Sequence, residues 1–118
     1  MTIYALSTGQ GISGVAVVRI SGSETAEVIN TLTGSDLPTP RIATLRKINN
    51  INTSELIDEG IILWFPGPQS YTGEDMAEFH VHGSRAVIDA LQNSISQVKN
   101  CRLAEPGEFT KLAFQNGK

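Results

Sequence analysis

Apolar residues recur along the chain in two rhythms, one of period two and one helical, and the switches between them mark its elements. Ile3–Leu6 is a short β-prone run, and Val15–Ile20 is a stronger one, rich in β-branched residues. Ser21 or Ser23 is expected to cap a helix whose apolar positions Ala26, Ile29 and Leu32 follow helical spacing, with Gly34 as its stop. Pro38 and Pro40 enforce an extended connector before a strand over Arg41–Ile48. Turn-forming residues at 49–54 join that strand to Leu56–Phe65 as a hairpin. Ile61–Phe65 is apolar on both faces, which predicts a central strand covered on both sides. Met76–His82 alternates cleanly, with Ala77, Phe79 and Val81 on one face and Glu78, His80 and His82 on the other. Val87, Ile88, Leu91, Ile95 and Val98 predict an amphipathic helix over Arg85–Val98. A short strand near Arg102–Ala104 then leads to a final helix, with Pro106 in its first turn and Phe109 onward in its body. The order β-β-α-β-β-β-α-β-α predicts an α+β fold, a mixed or antiparallel sheet with flanking helices, rather than a doubly wound parallel sheet.

Composition narrows the class. The 118 residues suit one domain over residues 1–118, long enough to build its own core. No apolar run approaches the roughly 20 residues that span a bilayer, and the first residues lack a signal peptide's basic and apolar regions. Cys101 is the only cysteine, which excludes an internal disulfide and a cysteine-based zinc site. These features favour the cytoplasm. Net charge is −3, and the nine Lys and Arg are scattered, Arg41, Arg46 and Lys47 being the closest group. Strong nucleic-acid binding by this chain alone is therefore not expected, because phosphate neutralisation carries most of such affinity. The last residues read as a helix that stops without a tail, so a piece of a longer protein is expected.

Several candidate sites fail on context. Gly9-Gln-Gly11-Ile-Ser-Gly14 matches G-x-G-x-x-G, but the residues after it, Val15-Ala-Val-Val18, read as a strand where a dinucleotide site needs a helix. No G-x-x-x-x-G-K-[ST] and no G-x-S-x-G is present, and Cys101 reads as a half-buried small hydrophobe without activation. His80 and His82, with Glu78, have a spacing that can chelate a metal, yet catalytic three-ligand sites draw on more than one element. Hydrogen-bonded or solvated histidines on a polar strand face are the plainer expectation. Glu74 and Asp75 read as a solvated acidic turn. Arg19 and Glu78 are different, because each places a charge inside a strand. They pair with each other, or they bind opposite ends of a ligand; pattern leaves both readings open.

Four blocks then carry a resemblance: Val17-Val-Arg-Ile-Ser-Gly22; Leu63-Trp-Phe-Pro-Gly-Pro68 with Tyr71-Thr-Gly-Glu-Asp75; Glu78-Phe-His-Val-His-Gly83; and Ala104-Glu-Pro-Gly-Glu-Phe-Thr110 through Asn116-Gly-Lys118. In this order, over nearly the whole chain, they resemble the N-terminal domain of the tRNA-modifying GTPases MnmE, also called TrmE. The resemblance implies a fold like the folate-binding aminomethyltransferase of glycine cleavage, a homodimer, and a bound tetrahydrofolate derivative, 5-formyl- or 5,10-methylenetetrahydrofolate. It implies folate contacts at Arg19, Glu78 and Lys118 and no catalytic residue in this stretch. In the intact proteins it implies a helical domain and a GTPase domain that takes GTP, Mg and K. Those proteins work with the flavoprotein MnmG to add a (carboxymethyl)aminomethyl group at carbon 5 of the wobble uridine of certain tRNAs. A stand-alone aminomethyltransferase-like enzyme, with His80 or Asp75 as acid or base, and a ligand-free dimerisation scaffold are the competing readings. A surface apolar area from Tyr71, Phe79 and the final helix is expected to serve the dimer. Two departures from the family pattern stand out. Gly9-Gln-Gly-Ile12 replaces a common Pro-Pro-Gly, and Ser84 replaces a common glycine, which is expected to cost backbone freedom where the helix begins.

Overall fold

A computed structural model describes residues 1–7 and 14–118. The strands are β1 (Thr2–Leu6), β2 (Val15–Ser21), β3 (Thr44–Asn49), β4 (Leu56–Phe65), β5 (Met76–His82) and β6 (Cys101–Leu103), and the helices are α1 (Thr25–Thr33), α2 (Arg85–Ser96) and α3 (Glu108–Gln115). The fold is α+β, as the order of elements predicted. One six-stranded sheet runs β3-β4-β5-β2-β1-β6, antiparallel at every pair except the parallel β1–β6 edge.

Alternation along the strands divides the sheet into two faces. Ala16, Val18 and Ile20 of β2 and Ala77, Phe79 and Val81 of β5 turn to the helices. They pack with Ile62 and Trp64 of β4 against Val28, Ile29 and Leu32 of α1 and Ile88, Leu91 and Ile95 of α2. Burying a side chain of this size contributes about 1.5–3 kcal/mol, so this one layer supplies most of the hydrophobic driving force. The other face bears Arg19, Leu63, Glu78 and His80, which the strand register sets side by side.

Several local expectations are corrected by tertiary partners. Neither Ser21 nor Ser23 caps α1, whose N-cap is Glu24, without a side-chain cap. Ser21 instead ends β2, its hydroxyl engaged by Thr72 at 2.8 Å and Glu74 at 3.0 Å, while Ser23 donates to Glu24. The third strand begins at Thr44, not Arg41, because Arg41 lies in a turn with φ of 64° and its N–H donates to the Trp64 carbonyl. The second long helix stops at Ser96, although Val98 beyond it is still buried. Pro106 precedes α3 rather than joining its first turn, since Gly107 occupies the N-cap with φ of 76°. Phe79 is fully buried in the helix-side core, so it contributes nothing to any surface apolar area. Tyr71 and Phe114 of α3 are exposed. The β4 strand is covered by helices on one face only; Ile61, Leu63 and Phe65 on the other are half-buried. The hairpin turn is as predicted, with the Asn50 side chain accepting from the amides of Asn52 and Thr53. The glycine-rich stretch from Gly9 lies outside the described residues, apart from Gly14.

Candidate functional site

Arg19 and Glu78 are direct partners in the β2–β5 register, so their side chains leave the same face of the sheet. One Arg19 Nη2 donates to Glu78 Oε2 at 3.2 Å. His80, two residues along the same face, donates from Nε2 to Glu78 Oε1 at 2.9 Å, because a carboxylate only accepts. Each oxygen of the carboxylate therefore has its own anchor. Arg19 and Glu78 are only partly exposed, at 33% and 21% of their side chains. The guanidinium lies 5.9 Å from the centroid of the Tyr71 ring, within cation–π range. Arg19, Phe65, Tyr71, Met76 and Glu78 line a recess of about 480 Å³, a cation and an anion set among aromatic and thioether walls.

The loop between β4 and β5 builds one wall of this recess and is tied down at several points. Asp75 Oδ1 accepts from the Gly67 amide at 2.8 Å, and its carbonyl accepts from the Gly22 amide at 2.9 Å. Thr72, fully buried, bonds Ser21 through its hydroxyl. The Thr72 carbonyl accepts from Asn116 Nδ2 at 2.7 Å, which pins the end of α3 to the loop. Tyr71 shares a 3.2 Å hydrogen bond with Thr110 of α3. Lys118 sits against this loop. Its Cε stands 3.4 Å from where a Cβ on Gly73 would be, and its amide donates to the Ala113 carbonyl. Thus Arg19 and Glu78 meet within the recess, whereas Lys118 flanks the loop and is not among the lining residues.

A sequence model described as the GTP-binding protein TrmE N-terminus matches residues 2–118. The chain belongs to this family. Among individual relatives of this TrmE N-terminal chain, the tRNA modification GTPase MnmE of Pelagibacter ubique is 79% identical over 118 residues, covering 100% of this chain and 27% of the relative. The mitochondrial 5-taurinomethyluridine tRNA synthase subunit of Danio rerio is 54% identical over 117 residues, 99% of this chain and 23% of the relative. Its Homo sapiens counterpart is 49% identical, over 99% of this chain and 24% of the relative. The chain thus spans about a quarter of the length of the curated relatives it matches.

The remaining candidates of the TrmE N-terminal chain go to structural work. His82 does not join His80 around a metal; its ring and its amide both engage Asp58, at 2.9 Å and 2.8 Å. Burial opposes ionisation of Asp58, but the His82 amide and ring outweigh it and hold the carboxyl below its ordinary value. Among the described residues no group of three His, Cys, Asp or Glu side chains is disposed to hold a metal ion. Burial pushes the Cys101 thiol up to about 11, with Glu24 and Glu27 adding to the effect, so it is a poor nucleophile. Among the described residues no helix is long and apolar enough to cross a membrane. Sequence reasoning missed Tyr71 and Phe65 as recess walls and Asp75 as a loop clamp, because their partners lie on other elements. The dense Pro and Gly of 66–73 was the available signal, since such loops are held by specific side-chain bonds.

Proposed function

We propose that residues 1–118 form one domain that holds a tetrahydrofolate derivative and pairs with a second copy of itself, as part of a tRNA modification GTPase. The observation that carries this reading is the Glu78 carboxylate, fixed at both oxygens and facing a recess walled by Phe65, Tyr71 and Met76. A pterin presents a ring N–H beside an exocyclic amine, and that donor pair suits the two oxygens of one carboxylate. The residues fit the group. A carboxylate offers about four acceptor positions, and Arg19 and His80 take one on each oxygen, leaving one on each for ligand. The volume falls within the roughly 300–1,000 Å³ typical of small-molecule sites, and aromatic and thioether side chains suit the faces of a flat ring. Arg19 and Lys118 supply cations for the anionic glutamate tail. When bound, a methylenetetrahydrofolate supplies a one-carbon unit for carbon 5 of the wobble uridine.

The chain's own part is to bind, orient and pair. Lacking a G-x-x-x-x-G-K-[ST] sequence, it leaves GTP, Mg and K to the GTPase domain of the full-length protein, which acts on tRNA with MnmG. Half-buried Leu63 and Ile61 and the exposed Leu45 and Val15, all on the face opposite the helices, support a homodimer formed through that face. A stand-alone transferase would draw on His80 or Asp75, whose bonds to Glu78 and to the Gly67 amide hold the recess and its loop in shape. Calorimetric titration with 5-formyltetrahydrofolate tests the reading. The parent should saturate near one ligand per chain, and Glu78→Ala should bind at least about tenfold more weakly, the loss of one hydrogen bond to a charged group. Equal affinity in the two proteins would remove Glu78 from the site.

A further inference from the structure

We propose that His80 is a positioning residue for Glu78, and that it makes the recess selective for heterocycles bearing an N–H beside an exocyclic amine. This rests on the folate reading above. The side chain of a glutamate on a strand turns freely at its carboxylate unless both oxygens are held. Arg19 approaches only Oε2, so by itself it leaves the plane of the carboxylate undetermined. The His80 ring, two residues along β5, reaches Oε1, whereas Arg19 comes from β2, and the two anchors together set that plane. A side-by-side donor pair is read only when both oxygens are presented in one plane, which is the geometric content of a bidentate contact.

The side chains directly in register with His80 do not compete for its ring, while Glu59 and His82 border a neighbouring recess with it. Val17 on β2 and Ile61 on β4 flank it in register and offer no side-chain polar group. Its side chain is 31% exposed, so the contact with Glu78 is partly shielded from water. Sequence alternation puts the two residues on one face; only the structure shows that the imidazole points at the carboxylate.

Three proteins decide the matter: the parent, His80→Leu and His80→Gln, the last retaining a donor N–H. Each is titrated with 5-formyltetrahydrofolate and with 5-formyltetrahydropteroate, which lacks the glutamate tail. His80→Leu should weaken both ligands by about the same factor, roughly tenfold, and His80→Gln should recover most of the loss. Melting temperatures of the three should agree, which separates positioning from a general loss of structure. Unchanged affinity in His80→Leu, no recovery in His80→Gln, or a loss confined to the tailed ligand would each overturn the role. A second measurement needs no folate: long-range proton–nitrogen spectra of the ligand-free parent should show the Nε2–H tautomer at His80. An Nδ1–H tautomer would overturn the proposal. A parent that binds neither ligand would sink the folate reading, and the tautomer alone would then decide whether His80 holds Glu78.

Discussion

Gly22 lets β2 turn into α1 with almost no spacer. Its φ of 141° is open to glycine but strained for other residues, and its amide donates to the Asp75 carbonyl. A Cβ there would stand 2.4 Å from Thr2 Oγ1 and 2.5 Å from the Thr2 Cα, a backbone atom with no room to retreat. Gly22→Ala should therefore cost about 3 kcal/mol or more, read as a lowered urea midpoint. Ser84 makes the opposite point. Its backbone is extended, with φ of −91°, so nothing in its conformation requires a glycine. Its hydroxyl accepts from the Val87 amide at 3.1 Å and caps α2, a gain where a loss of freedom was expected. Ser84→Ala should lower stability by about 1 kcal/mol in the same assay. At this scale Arg19 and Glu78 were legible, because a charge inside an apolar strand asks for an explanation. Asp75 was not legible, since the Gly67 amide that it satisfies is visible only once the loop is folded.

Among the elements, α3 is held to its neighbours mainly through polar contacts. Arg102 of β6 grips Glu108 at its first turn with both terminal nitrogens, and the Glu105 amide adds a third bond. The Arg102 side-chain bonds, followed by that amide, pull the Glu108 carboxyl from 4.5 down to about 2. A lowered folded-state value stabilises the protein above the ordinary carboxylate range and is lost as pH falls from about 4.5 toward 2. Arg102 is 42% exposed, so solvent screening keeps the effect small. Glu108→Gln should give a flatter dependence of stability on pH across that window, with its small loss present at neutral pH and vanishing toward pH 2. Periodicity found every element, because strands that face one core alternate and helices that face it repeat. Ends were harder. The shifted starts of β3 and α3 come from left-handed backbone at Arg41 and Gly107, and no local hydrophobic pattern encodes either.

Across the whole molecule, the sheet brings together residues far apart in sequence. Arg19 meets Glu78 because β2 pairs with β5 rather than with the strand next after it in the chain. The alternation of each strand was enough to say which residues share its face. It could not say which strands are neighbours, since a pairing energy between distant segments leaves no local trace. The recess was unreadable for the same reason, as its lining comes from β2, β4, β5 and the loop between the last two. Leu45 is 57% exposed and opposes Ile61 on the face proposed to meet a second copy. Leu45→Glu should leave the far-ultraviolet dichroism unchanged and, by light scattering, convert two-chain particles to single chains. A mass unaffected by this change would move the dimer contact elsewhere.

The strict in-and-out order of β5 also bears on how this protein can vary over time. Substitutions can be absorbed one site at a time, but adding or removing one residue between Met76 and His82 exchanges the roles of every residue beyond it. Such a change ahead of Glu78 would push carboxylate and imidazole groups into the helix layer and turn Phe79 outward in a single event. Length change in the seven residues of β5 therefore carries a penalty that substitution there does not, and the exposed turn residues 52–54 carry no such alternation.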